Sequence, residues 1–245
     1  MDEMITKLAD AKPYELPNAV RRAFRVISSP QFFMGIASRA DSADEIEREK
    51  LNALASNLSS TLEAVVETTE EQLDERSQQV EEVVKAAAEP DSGEFLVPLL
   101  PQRVDAMREK LERLDEACLD EGFLSTLDAW MNKSHQDGMD LMVVVLQKVL
   151  QMYAGIQIGR ALERQDMKDQ TNGTFGTLLR TDAERWDAVL LQNKDDVDVI
   201  QKHTMRVMEN LVLKLDAGSM AQRVQAEYLK ELVSRVESLQ AKISN

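Results

Sequence analysis

The sequence predicts an all-α protein: a helical bundle with one long, coiled-coil-like acidic helix and a buried central helix. Three observations predict it. No proline falls between Pro30 and Pro90 and no glycine between Gly35 and Gly93, so neither breaker interrupts a stretch rich in Glu, Ala, Leu and Val. Aromatics make up 4% of the chain whereas methionine occurs twelve times, and small or flexible apolar side chains suit helix–helix packing better than a β-sandwich core. Apolar residues elsewhere recur three and four positions apart, with the few glycines and prolines at the ends of those stripes. About seven to nine helices are expected on this pattern.

Residues 1–40 read as short N-terminal helices. Pro17 opens a helix carrying Val20, Phe24 and Ile27, with Arg21, Arg22 and Arg25 interleaved. Pro30 starts the next at its first position, where Phe32, Phe33 and Ile36 form a compact apolar face. The three arginines suit an acidic surface, this chain's own long helix first among them. Residues 41–91 form that helix, or a helix pair, opened by a capping box of Ser42 and Glu45. They hold fifteen acidic and four basic residues, a net −11 out of −15 for the whole chain. Leu51, Leu58 and Val65 step by seven, as do Val66, Leu73 and Val80, but the two series do not join in one register. Such a seam fits packing on different neighbours better than one strict coiled-coil dimer. Fully helical, the segment would span on the order of 70 Å, so part of it is expected to project or to be covered by a partner.

Residues 92–164 read as the central bundle, set off by Glu89-Pro90-Asp91-Ser92-Gly93. Val104, Met107, Leu111, Leu114 and Cys118 make a helix stripe with Gly122 as its C-terminal cap, and Cys118 as a small buried apolar residue in it. Residues 123–131 make a short helix, and Ser134-His135-Gln136-Asp137-Gly138 a turn. Residues 139–162 are apolar on nearly every face and so form the buried central helix. Its Gly155 and Gly159 have the spacing that lets helices approach closely, read first as internal packing and second as a dimer seam. A polar linker follows at 165–175, broken at Asn172-Gly173. Residues 176–245 supply helices that pack on the bundle: one with Leu178, Leu179, Trp186, Val189 and Leu190, one with Val197, Ile200, Thr204 and Val207, and a last one capped by Ser219 and Gln222.

Charge and motifs exclude more functions than they suggest. A net charge of −15 opposes non-specific binding to nucleic acid or anionic membrane. The single Cys118 rules out an internal disulfide or a multi-cysteine metal site. No integral membrane span is expected, because Asp140, Gln147, Lys148, Gln151 and Gln157 interrupt the most apolar stretch. Met1 is followed directly by Asp2 and Glu3, which is not a targeting signal, although a chain that had shed one would begin the same way. His135 and His203 belong to no di-iron or zinc-protease motif, and phosphate-binding glycine loops, nucleophile elbows and cysteine pairs are all missing. Glu70-Glu71, Asp74-Glu75 and Glu81-Glu82 lack the glycine and alternating ligands of a calcium loop. The expectation is therefore no catalytic residue, no cofactor and no metal.

Surfaces remain. The candidate partner-binding residues are Glu67, Glu70, Glu71, Asp74, Glu75, Glu81 and Glu82, facing a protein with a basic surface, together with Arg21, Arg22 and Arg25. The leading expectation is a non-enzymatic interaction, assembly or scaffold factor, with self-association open beside it. The alternative is a carrier or sensor of an apolar or pigment-like ligand, held in a groove around Met139, Met142, Met152 and Met208.

The strings Ser29-Pro30-Gln31-Phe32-Phe33-Met34-Gly35-Ile36-Ala37 and Asp120-Glu121-Gly122-Phe123-Leu124 resemble those of helical, nucleus-encoded plastid proteins of plants and green algae. The resemblance carries no catalytic motif and implies no activity. It implies a chloroplast stroma location, with the transit peptide removed; without it the expectation is a soluble intracellular protein.

Overall fold

The computed structural model describes residues 2–12, 15–164 and 173–243, and every regular element in them is helical. Twelve α-helices and four single-turn 3-10 helices occur among the described residues, with no strand. The helix number exceeds the expected one because two apolar stripes that read as single helices are each broken and because a helix over Asp2–Asp10 precedes the first one read from the sequence. The stripe from Pro17 divides at Ala23 (φ −119°, ψ 27°). That break turns Phe24 out to solvent. The chain forms two compact units, Met1–Asp74 and Glu75–Asn245.

In the first unit, α1 (Asp2–Asp10), α2 (Leu16–Arg22), α3 (Phe24–Ile27) and α4 (Pro30–Asp41) share a core with the beginning of α5 (Glu45–Lys85). Ile5, Val20, Ile27, Phe32 and Ile36 meet Leu51, Leu54 and Leu58 there. The Ser29 hydroxyl caps α4 by accepting from the Phe32 N–H at 3.3 Å, and Pro30 takes the first position, where its missing N–H costs nothing. The expected Ser42–Glu45 capping box does not form. Ser42 ends α4 in a helical conformation (φ −94°, ψ −4°), which an N-cap does not adopt. Asp44 caps α5 instead, accepting from the Glu47 N–H at 2.8 Å.

The second unit takes the end of α5 with α6 (Pro101–Arg113), α7 (Glu121–Gln136), α8 (Asp140–Arg164), α9 (Thr174–Arg180), α10 (Trp186–Gln192), α11 (Val197–Asn210) and α12 (Met220–Ile243). α8 is the buried central helix and packs against α6, α7, α9 and α12. Val145, Val149 and Met152 enter one core with Val80, Val83, Met107 and Phe123. Ala154, Ile158 and Leu162 enter a second with Phe175, Trp186, Leu229 and Leu232. By length and mean hydropathy (1.5 over its most apolar window) α8 would suffice to cross a membrane; in this fold its apolar faces meet other helices.

Several local readings change. α6 stops at Arg113, and Cys118 sits half-buried on a 3-10 turn, Glu116–Cys118, outside the α6 stripe. Gly122 lies inside α7 and caps nothing, because Asp120 takes the N-cap and its carboxylate accepts from the Phe123 N–H at 2.9 Å. α7 then runs to Gln136, so His135 belongs to its last turn and the chain reverses at Gly138 (φ +70°). Residues 165–172 of the expected linker lie outside the described residues. In the stripe beyond, Ala183–Arg185 separates α9 from α10. The last helix begins as read: the Ser219 hydroxyl accepts from the Gln222 N–H at 3.1 Å, and the Gln222 side chain accepts from the Gly218 N–H at 3.0 Å.

Gly155 and Gly159 play different parts. A Cβ on Gly155 would stand 2.5 Å from the Leu179 carbonyl oxygen and 3.0 Å from the Tyr228 hydroxyl, whereas one on Gly159 would meet nothing within 4 Å. Gly155→Ala is therefore expected to lower stability by about 1–3 kcal/mol through overpacking. Gly159→Ala should raise it by about 0.5–1 kcal/mol, since alanine is the better helix former. Urea midpoints of the two variants check the opposite signs.

Asp120 also receives Arg76 of α5 in a two-point ion pair, Nε to Oδ1 at 3.1 Å and Nη2 to Oδ2 at 2.9 Å. Burial alone would raise the Asp120 carboxyl; the Arg76 hydrogen bond and the Phe123 and Gly122 N–H groups outweigh it and hold the carboxyl below its ordinary 3.8. A carboxyl depressed in the folded state stabilises above its unfolded value and loses that contribution as pH falls through the folded one. Stability should thus hold down to about pH 4 and drop below it. Asp120→Asn, which keeps a capping oxygen, should remove part of that acid-dependent drop in urea titrations at each pH.

Candidate functional site

The apolar seam of α5 serves the two cores separately. Leu58 and Val65 are buried in the first unit's core and Val80 in the second's. From 66 to 79 no residue is buried. Val66 and Leu73, seven residues apart on one face, are 39% and 52% exposed. Glu67, Glu70, Glu71, Asp74, Glu75, Glu81 and Glu82 are all solvent-exposed. Glu75 pairs with Arg76 and Glu81 with Lys85. Among the described residues Glu67, Glu70, Glu71, Asp74 and Glu82 form no ion pair, so the uncompensated acid concentrates on the segment whose apolar residues are also bare.

Arg21, Arg22 and Arg25 are exposed and make no ion pair among the described residues. They do not neutralise the acidic helix as expected. Arg39, bonded to Glu47 at 2.8 Å, and Lys50, bonded to Asp10 at 2.6 Å, tie the start of α5 to the first unit instead. The four methionines do not gather either. Met139 is exposed, Met142 and Met152 belong to one core of the second unit, and Met208 packs against the other.

Sequence reasoning saw Lys148 only as an interruption of α8. Its ammonium sits against Asp182 at 2.6 Å, Glu184 at 3.2 Å and the Gln151 side-chain carbonyl at 3.4 Å. The Lys148 and Asp182 side chains are each 9% exposed. This cluster borders a groove of about 950 Å³ between α8 and α12, whose apolar lining includes Val144, Leu150 and Val224. A second cavity, about 450 Å³, opens where α8 and α12 meet the 3-10 turns, and Tyr153, Gln157 and Gln225 line it. A lysine within an apolar run was the one legible signal; its partners lie 34 and 36 residues away.

Among the described residues no three His, Cys, Asp or Glu side chains are placed to hold a metal ion. His135 is exposed, and Asp137 beside it pairs with Lys133 at 3.0 Å. His203 and the Phe175 ring meet in a T-shaped contact, with centroids 6.0 Å apart. Comparison with protein-family models, with curated proteins and with solved structures gives no match to this chain.

Removing one partner of the buried Lys148–Asp182 pair strands a charge. Lys148→Met is expected to cost about 3–5 kcal/mol, and adding Asp182→Leu to recover much of it. Urea unfolding of the single and double variants measures both.

Proposed function

We propose that the protein is a non-enzymatic interaction or assembly factor, and that residues 66–74 of α5 receive a basic amphipathic helix of a protein partner. The observation that carries this reading is the exposed Val66/Leu73 pair flanked by unpaired Glu67, Glu70, Glu71 and Asp74. An apolar stripe of that spacing docks a partner helix, and a one-sign edge selects lysine and arginine beside it. A second copy docked through the same face would set acid against acid, which disfavours a two-fold pair there, and we take the partner to be a different protein. Arg21, Arg22 and Arg25 offer a separate exposed face of opposite sign. On the residue strings around Phe32 and Phe123, the compartment we propose is the chloroplast stroma.

A designed helical peptide with leucine at the seam and lysine at its edges is the defined probe. It should bind at low salt and weaken as salt rises. Leu73→Glu and the pair Glu70→Lys, Glu71→Lys should each weaken it by about tenfold or more, with helicity unchanged by circular dichroism. A scrambled peptide of the same composition should bind markedly less. Equal binding of the scrambled peptide, read by fluorescence anisotropy, would reduce the site to unspecific charge attraction.

A further inference from the structure

Gln157 on α8 and Gln225 on α12 are 9% and 5% exposed, and neither side chain makes a hydrogen bond among the described residues. Three other buried polar side chains find partners: Thr126 donates to the Gly122 carbonyl, Thr204 to the Ile200 carbonyl, and Lys148 to Asp182; Ser134, 7% exposed, makes no side-chain hydrogen bond among the described residues. The sealed and unpaired side-chain atoms among the described residues are Glu89 Oε1, Arg108 Nη1 and Arg160 Nη1. The two amides are not among them, so their polar atoms keep some accessible surface, and both residues line the same cavity of about 450 Å³. Tyr153, one turn before Gln157 on α8, also lines this cavity, and its hydroxyl makes only a long 3.4 Å bond to the Leu119 carbonyl.

We propose that this cavity binds a small organic molecule whose uncharged, planar head carries adjacent hydrogen-bond donor and acceptor groups, as a lactam or a nucleobase does. Two primary amides facing one space complement such an edge, each offering a carbonyl acceptor beside N–H donors. The buried polar side chains of the lining are two amides and a phenol, whereas its charged residues, Glu116, Arg164 and Lys214, are exposed, so a charged head reaching the amides would lose its water without meeting a counter-ion there. The phenol stays neutral: burial, with Glu121 and Asp120 nearby, pushes Tyr153 up to about 12. Leu119, Leu211 and Leu215 supply walls for an apolar body, and Lys214 at the mouth meets an acidic substituent where the ligand has one. The volume lies within the roughly 300–1,000 Å³ of small-molecule sites.

Saturation-transfer NMR on the full chain tests this with ε-caprolactam, thymine and, as a ring lacking the amide edge, cyclohexanol. Caprolactam or thymine should receive saturation and cyclohexanol should not; which of the two does so separates the lactam from the nucleobase source. Gln157→Leu and Gln225→Leu should each weaken binding by about tenfold while leaving the urea midpoint unchanged or higher, since the amides hold nothing in the free protein. Should a leucine variant fail to fold, Ala161→Trp fills the cavity from its wall and should abolish the signal. Silence from both amide probes, equal signal from cyclohexanol, or binding that survives the paired leucine substitutions would overturn the site and leave a water-filled cavity. The peptide site on α5 stands or falls separately, on its own titration.

Discussion

The second unit hangs on α8 being apolar around its whole circumference. A helix with one apolar stripe supports one core; this one supports two, with Val149 and Met152 on one side and Ile158 and Leu162 on the other. Burying each such side chain is worth about 1.5–3 kcal/mol, and helices on either side depend on the same backbone for it. Close approach is what completes the arrangement. The absent side chain at Gly155 lets the Leu179 carbonyl sit against α8. The end of α9 is then held by Trp186, whose indole N–H donates to the Leu178 and Thr181 carbonyls at 3.0 and 3.2 Å. Trp186 in turn meets the Tyr228 ring of α12 edge-on, with centroids 5.0 Å apart.

A helix that enters two cores forces the polar residues on its buried faces to find something inside. Lys148 finds Asp182 and Glu184; Gln157 finds an opening shared with Gln225. α5 shows the converse. Its charge is far from neutral, and between Val65 and Val80 it has no core to join. Glu63, Glu67, Glu71 and Glu75 stand in one i,i+4 row, and Glu70 faces Asp74 at the same spacing. Each like-charge pair costs a helix about 0.2–0.5 kcal/mol. A basic partner, or salt, relieves that strain without any change in fold.

The features legible in the sequence were those whose causes are local. The helical class, the apolar completeness of α8 and the Ser219–Gln222 cap all follow from neighbours a few residues apart. The register break in α5 was legible too, because Leu51, Leu58 and Val65 lead to one core and Val80 to another. Capping choices were harder, since two candidates within two residues compete on backbone geometry: Asp44 displaced Ser42, and Asp120 displaced the reading of Gly122. The break at Ala23 has no proline or glycine to announce it. What escaped altogether were pairings at long separation. Nothing near Gln157 indicates Gln225, and nothing near Asp120 indicates Arg76, because helix crossing and not spacing brings them together. The arginines at 21, 22 and 25 misled for the same reason: opposite charge in the sequence does not place two groups in contact.

The molecule thus carries two unmet demands of different physical kind, and ionic strength separates them. On α5 the demand is long-range and solvent-exposed, so added salt both eases the self-repulsion of the glutamate row and weakens the attraction of a basic helix. With a Debye length of about 10 Å at 0.1 M salt, the selectivity proposed for that surface would be confined to modest ionic strength. In the cavity of α8 and α12 the demand is for hydrogen bonds to the neutral amides of Gln157 and Gln225. Salt leaves those bonds nearly untouched, and the geometry of two amides sets what fits. A partner arriving on the acidic helix and a molecule entering the cavity would therefore be governed independently, one by charge and concentration, the other by shape.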